Sequence, residues 1–104
     1  MPKQKRVHAR SLGSTSDVHA KNVRDSVRIW EAELKKLERL IKNDDCDRAI
    51  TSYGQVNYID GYASAQAQGA KRAELYKGVT NLGNKTKGLK HALVRQCIKE
   101  DIII

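Results

Sequence analysis

The sequence has no phenylalanine, one proline and one tryptophan among its 104 residues, and it contains no long apolar run. This length and composition allow a single small domain with a thin hydrophobic core. A membrane-spanning helix requires roughly 18 consecutive apolar residues, which the chain lacks. Its basic first ten residues are followed by no apolar stretch of the kind a secretory signal requires. We therefore expect a protein that is not secreted and has no membrane partner.

Cysteine is also scarce, since Cys46 and Cys97 stand 51 positions apart with no other cysteine in the chain. Two residues so spaced make no disulfide framework, and both fall on apolar helical stripes, so we interpret them as small core residues. Neither approaches a histidine at the spacing of metal ligands. The acidic run Asp44–Asp47 lacks the glycine and glutamate of a calcium-binding loop. We expect no metal ion and no cofactor.

The sequence also lacks a complete catalytic motif. The segment from Gly78 to Thr86 is close to a nucleotide-binding P-loop, but Asn84 separates the second glycine from Lys85. In a P-loop the lysine directly follows that glycine, so that it reaches the phosphates. No serine, cysteine or carboxylate stands in an arrangement for nucleophilic or acid–base catalysis. We expect no enzymatic activity.

Acidic residues are outnumbered, and the charge is unevenly distributed along the chain. There are 20 lysine and arginine residues against 12 acidic residues, for a net charge of +8. Residues 1–15 carry +4, residues 16–43 carry +2, residues 44–68 carry −3 and residues 69–104 carry +5. Such an excess favours DNA, RNA or acidic protein as a partner, with solubility alone as the alternative explanation. The candidate polyanion-binding residues are Lys3, Lys5, Arg6, Arg10, Lys71, Arg72, Lys77, Lys85, Lys87, Lys90 and Arg95.

The clearest periodic signal lies in the second quarter of the chain. Apolar residues recur there at alternating spacings of four and three, which is the a/d seam of a helix that packs on another helix. The seam consists of Ala20, Val23, Val27, Trp30, Leu34, Leu37 and Ile41. This pattern predicts a helix from about Asp17 to Lys42, with Ser16 or Asp17 as its N-cap.

A short polar turn at Asn43–Asp47 predicts that a second helix returns antiparallel to the first, because helices joined by so short a connection pack as antiparallel neighbours. We expect this helix to run from about Asp45 to Gly69 and to continue as far as Lys77. Its predicted inward positions are Ala49, Tyr53, Val56, Ala63, Ala67 and Ala70. Tyr58 and Tyr62 lie in the least basic part of the chain, which favours core or partner packing over stacking on bases.

Glycines interrupt the last third of the chain. Gly78–Gly88 contains three glycines, two asparagines and two threonines and is predicted to be a loop. Its basic portion, Asn81–Lys90, is a candidate phosphate contact, with a solvated loop as the alternative. A short third helix is predicted from Gly88 or Leu89 to Glu100. The apolar segment that follows packs either on the helices or on a partner, and its candidate docking residues are Ile102, Ile103 and Ile104.

The predicted fold is therefore all-α, a long antiparallel helical hairpin with a short C-terminal helix and a basic N-terminal arm. Residues 1–15 form the flexible arm, residues 16–77 the hairpin, and residues 78–104 the Gly-rich basic loop, the short helix and the apolar tail. Two helices alone leave apolar surface on their outer sides, which favours self-association into a four-helix bundle.

Two stretches of this hairpin resemble a recurrent pattern. The turn Asp44-Asp45-Cys46-Asp47-Arg48-Ala49 and the Ala/Gly-rich run from Ala63 to Ala70 are similar to the small helical-hairpin proteins encoded in many tailed-phage genomes. Those proteins join two helices at an acidic, Cys-containing turn. The resemblance covers about residues 17–70 and implies a hairpin and a viral setting, with no activity or site residues to carry over.

Two functions agree with these features. The first is a non-enzymatic structural component of a larger assembly, a virion, that docks on protein subunits and turns its basic arms to nucleic acid or acidic protein. The alternative is a free dimeric nucleic-acid-binding accessory protein whose phosphate contacts are not sequence-specific. In both cases we expect a homo-oligomer or a member of a larger complex, located in the virion or in the host cytoplasm.

Overall fold

A computed structural model of the chain describes the backbone of residues 4–98 and the side chains of residues 15–98. Within these limits the fold is all-α, as predicted, and contains no strand. It consists of α1 (Gln4–Lys42), α2 (Cys46–Ala70) and α3 (Ala73–Leu93), followed by a π-helical turn at Val94–Ile98. The core is therefore formed by three long helices, instead of two long helices and a short third one.

The predicted seam of α1 faces this core. All its residues are buried except Val27, which is partly buried, and Leu40 is buried beside them. The predicted helix start at Asp17 is wrong, because α1 begins at Gln4 and continues through the segment predicted to be a flexible arm. Ser16 and Asp17 therefore lie within the helix. Instead of capping it, Ser16 donates a hydrogen bond to the carbonyl of Ala70 (2.9 Å), and Asp17 pairs with Arg72.

A left-handed residue ends α1 and reverses the chain. Asp44 has a φ of 59°, a conformation that aspartate tolerates better than most side chains. Its amide donates to the carbonyl of Ile41, and the amide of Asp45 donates to the carbonyl of Leu40, so two carbonyls at the helix end are satisfied. Asp45 occupies the N-cap position of α2 without a side-chain cap bond, and Asp47 lies in the first turn, where its charge complements the helix dipole.

Helix α2 packs antiparallel against α1 from Ser16 onwards. His19 contacts Gln66 near one end, whereas Glu33 accepts a hydrogen bond from Ser52 (2.7 Å) towards the other. Five of the six predicted inward residues of α2 are buried, and Tyr53 is partly buried. Most of these residues are alanines. Their small side chains let the backbone of α2 come close to α1, whose seam supplies the large side chains of the contact.

The predicted loop at Gly78–Gly88 is wrong, since this segment is the middle of α3. Helix α2 ends at Ala70 and does not continue to Lys77; the left-handed Lys71 (φ 56°) and the extended Arg72 link it to α3. Three glycines weaken a helix by about 1 kcal/mol each relative to alanine. Packing offsets this cost, because the inward stripe of α3 is buried or partly buried in the core; it consists of Leu75, Val79, Leu82, Thr86, Leu89 and Leu93.

One buried polar contact links α3 to α1. The Trp30 indole is fully buried, and its Nε1 donates to Thr86 Oγ1 at 3.0 Å. The Thr86 hydroxyl in turn donates to the carbonyl of Leu82 at 2.8 Å. Both polar groups are thereby satisfied away from water, which fixes the register of α3 along α1.

The interpretation of the cysteines as separate core residues is wrong. Cys46, at the start of α2, and Cys97, in the turn after α3, form a disulfide with their Cα atoms 5.4 Å apart. The neighbouring Gln96 donates hydrogen bonds to the carbonyl of Ile41 and to the Asp44 carboxylate. The disulfide and these bonds fasten the end of α3 to the turn between α1 and α2.

Candidate interaction surfaces

The solvent-facing side of α3 is basic. Lys77, Lys85, Lys87 and Lys90 are all exposed on it, and Glu74 is the one acidic residue of the helix. From Leu75 to Ile98 the chain has no aspartate or glutamate at all. None of these four lysines forms an ion pair within the described residues, so their ammonium groups are available to an external anion.

The other predicted polyanion-binding residues are placed differently. Lys71 and Arg95 are exposed at the two ends of α3, whereas Arg72 is half-buried and held by Asp17. The structure therefore gathers six of the seven C-terminal candidates on one helix and its two ends, and none of the six forms an ion pair with a residue whose side chain is described. The N-terminal candidates Lys3, Lys5, Arg6 and Arg10 lie outside the described side chains, and so do Ile102, Ile103 and Ile104.

The outer surface of α2 is almost free of charge. Between Ala49 and Ala70 the only charged residue is Asp60, which is half-buried and accepts a hydrogen bond from Ser64. Directly opposite the buried stripe lies a row of exposed residues at alternating spacings of four and three. We call it the outer seam; it consists of Asp47, Thr51, Gly54, Tyr58, Gly61, Ala65 and Gln68.

A shallow groove between α1 and α2 flanks the outer seam. Exposed apolar side chains line it, namely Ile29, with 59% of its surface exposed, and Tyr58, with 75% exposed. Tyr62 lines the same groove and is also exposed. This exposure excludes core packing for both tyrosines, so that packing against a partner and stacking on bases are the interpretations that remain.

Polar groups inside the described part of the structure are satisfied. Every buried side-chain nitrogen or oxygen there has a hydrogen-bond partner. In the same range, no cluster of three His, Cys, Asp or Glu residues is placed to hold a metal ion. One carboxyl group is perturbed: the hydrogen bond from Lys21 (2.8 Å) lowers the pKa of Asp25. That pair is exposed on α1 and is an ordinary surface interaction.

Comparison with protein-family models, curated proteins and solved structures found no match for the chain. None of the described helices combines the length and hydropathy that crossing a membrane would require. The two surfaces described above, basic on α3 and uncharged on α2, are therefore the features on which a functional proposal rests.

Proposed function

We propose that the protein is a non-enzymatic structural component of a larger assembly, which docks on protein through α2 and presents the basic face of α3 to a polyanion. One observation carries this proposal: α2 and α3 differ sharply in the charge of their exposed surfaces, whereas α1 carries both signs. The outer seam holds one charged residue, Asp47, whereas α3 exposes four lysines against a single Glu74. A charge excess kept only for solubility has no reason to leave α2 nearly uncharged while the chain from Leu75 to Ile98 holds cations and no acidic residue.

The α2 surface has the composition of a protein interface. Burying it would strip water from hydroxyl, amide and apolar groups but from almost no charges, so the desolvation cost is low. Tyrosine is enriched in such interfaces because it buries a large area with few rotatable bonds, and Tyr58 and Tyr62 are both exposed on this side. These features support docking on protein through α2.

The α3 surface suits phosphate or carboxylate groups. Its four exposed lysines are spread over between three and four turns of helix, with small polar side chains such as Asn81 and Asn84 between them. Lysine contacts a phosphate as a point charge, so this surface offers electrostatic attraction without a code for base sequence. The basic N-terminal segment, residues 1–15, is proposed as a second contact with the same polyanion.

A virion is the proposed setting for this assembly. The hairpin resemblance described above supports it, and so does the Cys46–Cys97 disulfide. Disulfides persist on virion surfaces and in other oxidising environments, whereas the cytosol keeps thiols reduced. The proposed apolar docking segment, Ile102–Ile104, would attach the chain to a neighbouring subunit.

The basic surface of α3 also favours a second candidate function, a free dimeric nucleic-acid-binding accessory protein. Removal of Ile102–Ile104 separates the two candidates. Under the structural proposal, this deletion prevents incorporation into the assembly. Under the accessory-protein alternative, the deletion leaves the affinity for nucleic acid unchanged.

Matched charge reversals test the role of α3. In one variant Lys77, Lys87 and Lys90 become glutamate; in the other Lys21, Lys36 and Arg39 of α1 become glutamate, so that the two variants have the same net charge. We expect the α3 variant to lose duplex DNA and poly-glutamate binding by at least about tenfold, and its salt slope on DNA to fall by about 0.9 per lost phosphate contact. The α1 variant is expected to retain both.

Fluorescence anisotropy at two salt concentrations measures these affinities, and circular dichroism confirms that both variants fold. Equal losses in the two variants would show that net charge alone drives binding. Absence of binding by the unaltered protein at low salt would remove the polyanion from the proposal.

A further inference from the structure

We propose that the outer seam of α2 is a homodimer interface, in which α2 packs antiparallel against α2 of a second copy of this chain. The proposal rests on the proposed function, because it names the first occupant of the surface that the function assigns to protein docking. Two structural properties of the seam, its periodicity and the charges at its ends, carry it.

The periodicity of the outer seam is that of a coiled coil. Its spacing of four and three is the a/d repeat that lets two helices interlock, and it lies on the side of α2 opposite the core. We place the two-fold axis of the dimer beside the midpoint of α2, between Ile59 and Asp60. Each seam residue before this point then faces a seam residue after it in the second copy. The pairs are Tyr58 with Gly61, Gly54 with Ala65, and Thr51 with Gln68.

These pairs fit in size, because a large side chain meets a small one at the centre. Tyr58 is 75% exposed, and its partner Gly61 leaves room for a ring. A Cβ atom placed on Gly54 or on Gly61 would meet nothing within 4 Å, so packing within the chain does not explain these glycines. Glycine destabilises a helix interior, and close approach of a second backbone is a reason to keep it there.

The charges at the two ends of α2 select the antiparallel orientation. Asp44, Asp45 and Asp47 lie at its N-terminal end, and the cations Lys71 and Arg72 lie just beyond its C-terminal end. An antiparallel pair brings Asp47 of each copy to the Lys71–Arg72 end of the other. A parallel pair would set the aspartates of the two copies against one another, which is unfavourable.

The same charges favour a second copy as the occupant. Each chain carries +8, so two copies repel one another on most of their surfaces. Residues 44–68 carry −3, which makes α2 the side on which a copy meets the least repulsion. The seam is also complementary to itself, whereas an acidic or strongly basic partner would find almost no opposite charges along it.

Sedimentation equilibrium of the full chain over a wide concentration range tests the proposal. We expect twice the chain mass of 11.7 kDa for the unaltered protein. The substitution Gly61→Glu puts a charge at the centre of the seam, and we expect it to raise the dimer dissociation constant by at least about tenfold. The matched control is Gly88→Glu, an exposed helical glycine of α3 that also has nothing within 4 Å of its Cβ position. It should leave the dimer intact.

Two further variants keep the result interpretable. Ala65→Glu charges the same seam at a second position and should act like Gly61→Glu, so poor folding of one variant does not end the test. Asp47→Lys should weaken the dimer, and adding Lys71→Asp should restore part of the affinity, because one of the two cations near position 47 of the other copy becomes an anion. This rescue reports the antiparallel orientation.

A monomer at every concentration would overturn the proposal, as would a dimer that Gly61→Glu and Ala65→Glu leave unchanged. If Gly88→Glu also abolished the dimer, the net charge of the chain, and not the outer seam, would control dimerisation. The outcome is separable from the proposed function, because a monomeric Gly61→Glu protein retains the α3 lysines and should still bind DNA. Dimerisation can therefore fail while polyanion binding by α3 stands, and the reverse also holds.

Discussion

Reduction of the Cys46–Cys97 disulfide is expected to lower the free energy of unfolding by about 4 kcal/mol. The two cysteines are separated by 51 positions, and closing so long a loop removes much of the conformational entropy of the unfolded chain. Small domains are stable by only about 5–15 kcal/mol in total, so this is a large share. In the folded protein the disulfide also fastens the end of α3 to the turn that joins α1 and α2.

Urea denaturation with and without a reductant measures this effect. The double substitution Cys46→Ser and Cys97→Ser serves as the control, because a reductant should not change its unfolding midpoint. We expect the reduced protein and the double variant to unfold at similar urea concentrations, both well below the oxidised protein. Free thiols in the untreated, folded protein would contradict the account, as would a midpoint that a reductant leaves unchanged.

The second large effect is expected at Gly69, where the backbone of α2 lies directly against the His19 ring of α1. A Cβ atom at this position would lie 2.5 Å from His19 Cδ2 and within 2.8 Å of two further ring atoms. The ring has little freedom to move away, because His19 Nδ1 is hydrogen-bonded to Gln66 (2.7 Å), which also accepts a bond from Asn22. Gly69→Ala should therefore force the ring out of place and break the bond to Gln66.

Comparison with Gly88→Ala isolates this steric effect, since both changes add the same methyl group to a helical glycine. At Gly88 nothing lies within 4 Å of the new Cβ, so the alanine should stabilise α3 by up to about 1 kcal/mol. We expect the free energies of unfolding of the two variants to differ by about 1–3 kcal/mol, the usual cost of overpacking. Thermal unfolding followed by circular dichroism gives both values. Equal stabilities would show that α2 and α1 are further apart at this point.

The sequence predicts the core-facing sides of α1 and α2 because their apolar spacing is regular. Val23, Trp30 and Leu37 are buried as expected, and so are the alanines of α2. A seam of large residues on one helix and small residues on the next determines which faces meet. The contacts between α1 and α2 at both of their ends follow from that pairing and from the short turn between them.

Helix α3 shows that the burial of a periodic apolar stripe outweighs low local helix propensity. Its glycines indicate a loop when taken one by one, yet Val79, Leu82, Thr86 and Leu89 repeat at spacings of three, four and three. That repeat matches the seam of α1, and burial of the stripe outweighs the glycine cost. The length of the helix was recoverable from this spacing.

The disulfide and the outer seam differ in how far the sequence reveals them. No local feature of the sequence shows that Cys46 and Cys97 meet, because their proximity depends on α3 returning along the full length of α2 to the turn where α2 begins. The outer seam, by contrast, lies largely within a 22-residue stretch, Ala49 to Ala70, whose one charged residue is Asp60. Its repeat is hard to recognise in the sequence, because the inward face of α2 already accounts for most of the alanines.

Lysine acetylation footprinting of the unaltered protein, with and without duplex DNA or poly-glutamate, tests most directly whether the basic surface of α3 is where a polyanion binds. Mass spectrometry compares the α3 lysines Lys77, Lys87 and Lys90 with Lys21 and Lys36 on α1 in the same sample, so each measurement contains its own control. The account predicts that a polyanion protects the α3 lysines from acetylation and leaves Lys21 and Lys36 reactive. Equal protection of both groups, or protection of the α1 lysines alone, would contradict it.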